Sequence, residues 1–395
     1  MPLSSDTLRG FRPDTIRGAA GFFRVGQVQT GTWWLIDPND APFFLRAVNG
    51  VSAQTDSAHD PVARLRTWGF NALGAGSAPE LYDEGLPFVA SVNFTQEVSP
   101  IRAVGIRLPD VFHPDWENAA RLRAAVACPT LADRRDLLGW LTDDALAWGG
   151  PDVSGRPTLL QVCLSLEPSF AAYHAAWEFV LARHGGLLSR LAQAWDFALE
   201  NKGIVRELTR AEQVLTTAGY LRDNTTWTCE FARRYFSATS AAIRSQDAHH
   251  LILGARDVLA PSRGMSSDWL SECVSPLVDV TWVHTADVGA APLGPIIAGN
   301  FNWANQSYWH LTPRSRARGV TSVERMLKQG RATLRACVKH PAVVGYAWDA
   351  WRDEPGEQPP FARGLVHLND TEAREHTELL SAVNGRLTAL RPFVP

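Results

Sequence analysis

The sequence predicts a (β/α)8 barrel of the α/β class, and three observations carry that prediction. Eight apolar runs of strand length recur along the chain. Helical patterns separate them, and most runs end in a polar or aromatic residue. Continuous apolar strands alternating with helices imply a parallel sheet covered on both faces. Eight such units close into a barrel, whose chemistry gathers at the C-terminal ends of its strands.

The elements follow in order. Residues 1–42 read as an N-terminal arm and β-meander, because apolar and polar residues alternate around the turn signals Thr30-Gly31 and Asn39-Asp40. Residues 43–395 read as the barrel. Its strand candidates are FFLRAVNG (43–50), FNALGAG (70–76), LPFVASV (86–92) and LLGWLTD (137–143). HLILGARD (250–257), VDVTWVH (278–284), GPIIAGNF (294–301) and VVGYAWDAW (343–351) complete the set. The interval 150–249 is too long for one helix and carries apolar residues at three- and four-residue spacing. It reads as a helical insertion after the fourth strand, packed beside or over the barrel mouth. A doubly wound open sheet is the alternative, but GAGSAPE after the second strand lacks the third glycine of a phosphate loop.

Composition narrows the function. With 45% hydrophobic and 20% charged residues and a formal charge of -3, nothing favours nucleic acid or an anionic membrane as partner. No apolar run is long enough to span a bilayer, and MPLSSDTLRGFRPDTIRG has no apolar signal core, so the expected location is cytoplasmic. The five cysteines are scattered and lack CxxC spacing, which predicts reduced thiols. His249 and His250 are adjacent and would face opposite ways in a strand, so no metal is expected, nor any other cofactor. The fifteen tryptophans suit a large core, and equally a carbohydrate site, where an indole covers the apolar face of a sugar.

The strand ends supply the candidate site. Asp143 and Asp144 follow strand four, Asp257 follows strand five, and Asp349, Asp353 and Glu354 lie in or after strand eight. Asp144 and Asp349 are the candidate catalytic carboxylates. Asn49, Asn71 and Asn93 near strands one to three offer donors and acceptors to sugar hydroxyls, or hold turns. His284 closes strand six as a wall residue. Trp303, Trp309, Trp348 and Trp351 are candidate stacking surfaces, and Asn49, Asp143, His284 and Asn300 candidate polar contacts to a carbohydrate or glycosylated small molecule.

Seven segments, GTWWLIDPNDAPFFLRAVNGV, WGFNALGAGS, PDVFHPDW, LLGWLTDDALAW, HHLILGARD, GPIIAGNFNW and HPAVVGYAWDAWRDEP, come in the order expected of agarase-like glycoside hydrolases. Over residues 20–390 the chain resembles these exo-β-agarase-related enzymes of the β-galactosidase-like clan. The resemblance implies a retaining barrel with a Glu acid/base in an Asp-Asn-Glu-Leu-x-Trp pattern and a Glu nucleophile in a Gly-Glu-Phe pattern. Here the first pattern reads Asp143, Asp144, Ala145, Leu146, Ala147, Trp148, and the second Gly299, Asn300, Phe301. Both glutamates are replaced. Retaining cleavage needs two carboxyl groups about 5–5.5 Å apart, one to protonate the leaving oxygen and one to attack the anomeric carbon. Ala145 has no proton to give, and an Asn300 amide cannot form the glycosyl ester. The expectation is a pseudo-glycosidase or repurposed enzyme that recognises a carbohydrate. The alternatives are a rebuilt pair, Asp144 with Asp349, inverting at about 6.5–9.5 Å, or a non-hydrolytic biosynthetic use of the same pocket.

Overall fold

Three antiparallel strands open the chain: β1 (Arg24–Gln27), β2 (Trp33–Ile36) and β3 (Pro42–Phe43). β4 (Leu45–Val48), β5 (Ala72–Leu73) and β6 (Phe88–Ser91) follow, then a hairpin of β7 (Pro100–Ala103) and β8 (Ile106–Pro109). β9 (Leu137–Leu141) precedes the short β10 (Ala147–Trp148), which pairs with β8. β11 (Leu251–Ile252), β12 (Thr281–His284), β13 (Ile296–Phe301) and β14 (Val343–Trp348) complete the set. This computed structural model describes the chain except residues 1–7, 9, 54–58, 97, 104, 145, 149–155, 257–272, 285–293, 305–321 and 395, and the side chains of residues 96, 284 and 300.

Eight strands form one sheet in the order β11-β9-β6-β5-β4-β14-β13-β12, every pair parallel. Each of the eight apolar runs of the sequence contains one of them. The sheet curls, and the amides of Asp279 and Val280, just before β12, donate to Ile252 O of β11 at 2.8 and 3.2 Å. Those bonds bring its two edges together. β9 and β14 are buried at every position, as strands covered on both faces must be. Side-chain volumes are matched across neighbouring strands: a Cβ at Gly299 of β13 would meet Trp282 Nε1 of β12 at 1.7 Å.

The first three strands cover the N-terminal end of the barrel. Trp33 N donates to Pro341 O (2.8 Å), Ala19 N to His249 O (3.2 Å), and Arg17 Nη1 to Val278 O and Asp279 O (3.2 and 3.0 Å). All four acceptors precede strands β14, β11 or β12. Buried Arg391 completes this seal, donating to the carbonyls of Trp33, Val338 and His340 while its guanidinium lies over Trp34 and Phe44. Burial lowers its pKa to about 10. At the opposite end, where the strands finish, the described residues leave a cavity.

Between β10 and β11 the chain is helical: Leu159–Ser165, Ala171–Arg183, Leu188–Trp195, Gly203–Arg210 and Ala218–Gln246. Buried Asp223 ties three of these helices together, accepting from Arg183 Nε (3.0 Å), His184 Nε2 (2.7 Å) and Trp195 Nε1 (2.8 Å). The 29-residue helix Ala218–Gln246 starts at Thr217, whose hydroxyl accepts from Tyr220 N. Its Phe231, Tyr235 and Phe236 pack around Trp148.

One expectation is corrected here. Cys229, on that helix, and Cys273 form a disulfide, so the cysteines are not all reduced thiols; Cys128, Cys163 and Cys337 are free and buried. Cysteine spacing alone missed the pair because its 44-residue separation is bridged only by the folding of the long helix against the barrel. Among the described residues no helix is long and apolar enough to cross a membrane.

Candidate functional site

A cavity of about 420 Å³ opens at the C-terminal ends of the strands. Asn49 and Gly50 line it after β4, Ala75 and Gly76 after β5, Asp144 after β9 and Arg256 after β11. Asp349, Ala350, Trp351, Arg352, Glu354 and Arg363 line it after β14. A groove of about 540 Å³ between helices Trp116–Ala127 and Ala218–Gln246 lies on the outside of the barrel and contains no strand-end residue.

Charge dominates the mouth. The Arg256 Nε–H points at the backbone oxygen of Asp144 (2.7 Å), and the same nitrogen lies 2.8 Å from Asp144 Oδ1 as an ion pair. Arg256 Nη2 donates to Asp144 Oδ2 at 3.4 Å, and Nη1 lies 4.0 Å from Asp349 Oδ1. Arg363 Nη1 donates to Asp349 Oδ2 at 3.2 Å, while its other nitrogens pair with Glu354 and, at 3.1 Å, with Glu357. The two candidate catalytic carboxylates, Asp144 and Asp349, therefore share one guanidinium. An oxygen that accepts from a guanidinium is engaged as an acceptor, the reverse of what a general acid must do.

Asn49 is buried and holds three strand ends together. Its N donates to Trp348 O (2.9 Å), its Oδ1 accepts from Ala75 N (3.0 Å), and its carbonyl accepts from Trp351 N (3.0 Å). The close approach requires glycine next door: a Cβ on Gly74 would lie 2.3 Å from Asn49 Oδ1. Asn71 and Asn93 are likewise structural, Asn71 Oδ1 accepting from Arg46 N and Asn93 Oδ1 from Asp144 N. Ala350, between Asp349 and Trp351, adopts φ +96°, a strained conformation for a residue with a Cβ, and such strain collects at functional sites.

Asp143 lies beneath the cavity rather than in its lining. It is buried, accepting from Thr95 N (3.0 Å), Thr95 Oγ1 (2.7 Å) and the Tyr235 hydroxyl. Burial pushes its pKa above the ordinary carboxylate value, against the downward pull of those hydrogen bonds. Tyr235 is in turn raised by burial and by the neighbouring carboxylate. Asp353 is also buried, held by Gly364 N (2.9 Å) and His367 Nδ1 (2.7 Å).

Two tryptophans expected as stacking walls are core residues. Trp303 and Trp348 pack edge to face at 4.5 Å, both almost fully buried, and neither lines the cavity. Trp303 Nε1 donates to His376 Nδ1 (3.1 Å) and Trp348 Nε1 to Arg363 O (2.9 Å), so their polar edges are satisfied inside. The alternation of strand β14 explains this: Trp348, like Tyr346 on the same face, points toward helix Arg374–Asn384, and the chain must turn past it before Trp351 reaches the cavity, against Trp68 at 5.9 Å. Ala145, Asp257 and Trp309 lie outside the described residues, as do the side chains of His284 and Asn300. The backbones of those last two belong to β12 and β13, where His284 pairs with Gly299.

Sequence reasoning missed the arginines. Arg256 was visible as the charge beside Asp257 at the end of strand five. Arg363 sits in an irregular loop with no periodic signal. The hairpin β7–β8 was also missed, although Gly105 at its turn, with φ +79°, and the alternating residues around it mark one.

No protein-family model matches the chain. A β-agarase A from Vibrio sp. (strain JT0107) is 27% identical over 330 residues, covering 74% of this chain. The chain spans about a third of that relative's length, 32%. Among solved structures, an exo-beta-agarase superposes with a TM-score of 0.69 at 17% identity, covering 99% of this chain and 68% of its own. The agarase AgWH50C gives 0.67 at 18% identity, covering 98% and 68%. A β-galactosidase from the psychrophilic Marinomonas ef1 gives 0.53 at 12%, covering 87% and 59%. In fold, an eight-stranded parallel sheet curled on itself, the chain is similar to the barrels of these agarases.

Proposed function

We propose that the barrel mouth binds a saccharide of the agar type, for which the curated relative is named, and does not cleave it by double displacement. The observation that carries the reading is the Asp144–Arg256–Asp349 bridge: two of the three carboxylates that line the cavity lie against one guanidinium. Ala145 and Asn300 stand where the resemblance expects the acid/base and the nucleophile. Asn49 and Trp351 offer an amide and an indole at the same cavity, groups suited to a sugar ring.

Calorimetry with neutral agaro-oligosaccharides, alongside an assay for new reducing ends, tests the reading. Binding without cleavage is the expected result. Ala145→Glu together with Asn300→Glu should then introduce hydrolysis, because it supplies both carboxyl groups that double displacement needs. Absence of binding to any saccharide in a panel would remove the reading.

A second reading has its own support, since Asp144 and Asp349 line one cavity: the pair acts as a rebuilt acid and base in an inverting hydrolase. Wild-type cleavage abolished by Asp144→Asn would establish it. Cleavage that is equal in the two proteins would eliminate Asp144.

A further inference from the structure

We propose that Arg256 is an ionic bolt across the barrel mouth, which a neutral saccharide must unseat from Asp349 to reach the cavity floor. The inference rests on the reading of the mouth as a saccharide site. In the strand order, β9 and β14 stand four places apart in a sheet of eight, so they face each other across the barrel. Asp144 follows β9 and Asp349 follows β14, and one guanidinium lies against both. A group that pairs with strand ends on opposite sides of a barrel sits over its axis. That is where a ring entering the cavity must settle.

The two ends of the bolt differ. On the β9 side Arg256 is fixed through its backbone, its N donating to Asp143 O at 3.0 Å, and through Nε to Asp144 O at 2.7 Å. On the β14 side Nη1 stands at an ion-pair distance of 4.0 Å from Asp349 Oδ1. Asp349 remains partnered when that contact opens, because Arg363 donates to its other oxygen. Unseating the guanidinium on this side therefore leaves no carboxylate stranded in the wall, whereas withdrawing it from Asp144 breaks the Nε bond to the Asp144 backbone oxygen and the pairing with its carboxylate. At the end that opens, the Arg256 and Asp349 side chains are 20% and 9% exposed, so dissolved salt reaches the 4.0 Å contact from the arginine side and weakens it.

The test is the affinity of a neutral agaro-oligosaccharide, by calorimetry, in low and high sodium chloride, for wild type, Arg256→Gln and Arg256→Lys. Sugar hydrogen bonds carry no net charge, so salt should leave them nearly unchanged. Lysine keeps the charge, but its single ammonium cannot present the two-sided fork that spans both carboxylates. The expected result is wild-type affinity rising with salt, and both variants binding up to about fivefold more tightly than wild type at low salt. Unchanged or weaker binding in the variants, or a wild type indifferent to salt, overturns the bolt while leaving the saccharide site intact. Failure of all three proteins to bind any saccharide in the panel removes the site and the bolt together.

Discussion

Replacing Cys229 by Ser should cost the fold a large part of its margin, and the size of the loss follows from topology. The disulfide to Cys273 closes a loop of 44 residues that holds most of the helix Ala218–Gln246, β11 and Arg256. On the chain-entropy account, a crosslink closing a loop of that length lowers the entropy of the unfolded chain by the equivalent of about 4 kcal/mol at 25 °C. Unfolding entropy scales with length, to about 0.8 kcal/mol per kelvin for a chain of 395 residues, so the melting temperature should fall by about 5 °C. The assay is calorimetric melting of wild type, Cys229→Ser and the Cys229→Ser/Cys273→Ser pair, each with and without a dithiol reductant. Reductant should lower the wild-type transition toward that of the variants and leave the paired variant unmoved. Thiol titration of the unfolded, unreduced wild type gives an independent count: three reactive cysteines, rising to five after reduction. Five thiols before reduction, or a Cys229→Ser melting within a degree of wild type, would refute the reasoning. The outcome also bears on where the chain works, because a persistent disulfide fits an oxidising compartment rather than the reducing cytoplasm suggested by the scattered cysteines.

Two further predictions concern burial. Asp247 accepts from Trp140 Nε1 (2.7 Å) and His250 Nδ1 (2.6 Å); burial pushes its pKa up, but these bonds outweigh it and hold it at about 2. Its folded pKa lies below the unfolded value near 3.9, so it contributes about 2 kcal/mol of stability above pH 4. That contribution is lost as pH falls through 2, and Asp247→Asn should remove the corresponding acid limb from a plot of urea midpoint against pH. Trp303→Ala should destabilise the barrel by about 3–5 kcal/mol, read as a lower denaturation midpoint, with saccharide affinity of the folded protein unchanged. Trp351→Ala should lower both stability and saccharide affinity, since Trp351 is buried against Trp68 and also lines the cavity.

The barrel was legible because its cause is local. A strand buried on both faces must be apolar at every position, and the run LLGWL is buried throughout as β9. Strand ends were legible for the same reason: polar residues follow where such a run stops, which brought Asp144 and Asp349 to notice, although Thr142 and Asp143, nearer the end of β9, are still buried. What followed each end was less readable. Adjacent residues beyond a strand diverge, so Arg256 and Asp257 could not be ranked by position, and the functional weight went to the carboxylate. Trp348 and Trp351 look equivalent as aromatics near strand eight, yet the first packs under helix Arg374–Asn384 and the second lines the mouth. Two residues, Asp349 and the strained Ala350, separate those fates.

The substitution of both expected glutamates acquires a sharper meaning once the arginines are included. A retaining site requires one carboxyl group able to release a proton to the leaving oxygen and a second with an unencumbered oxygen for attack. Moving the acid one position, from 145 to 144, would satisfy the first requirement only if the Asp144 carboxyl were turned to the leaving oxygen rather than to a donor. Instead it meets Arg256 within 2.8 Å, and Asp349 meets Arg363 at 3.2 Å. Each carboxylate thus faces a guanidinium, which can only donate to it. The same arrangement would suit a general base better than an acid, which is why an inverting hydrolase, rather than a retaining one, is the catalytic alternative worth testing. Even that mechanism needs a proton donor on the opposite face of the sugar ring, and the arginines oppose that role at both aspartates. Binding without cleavage is therefore the reading that asks the fewest groups to act against their neighbours.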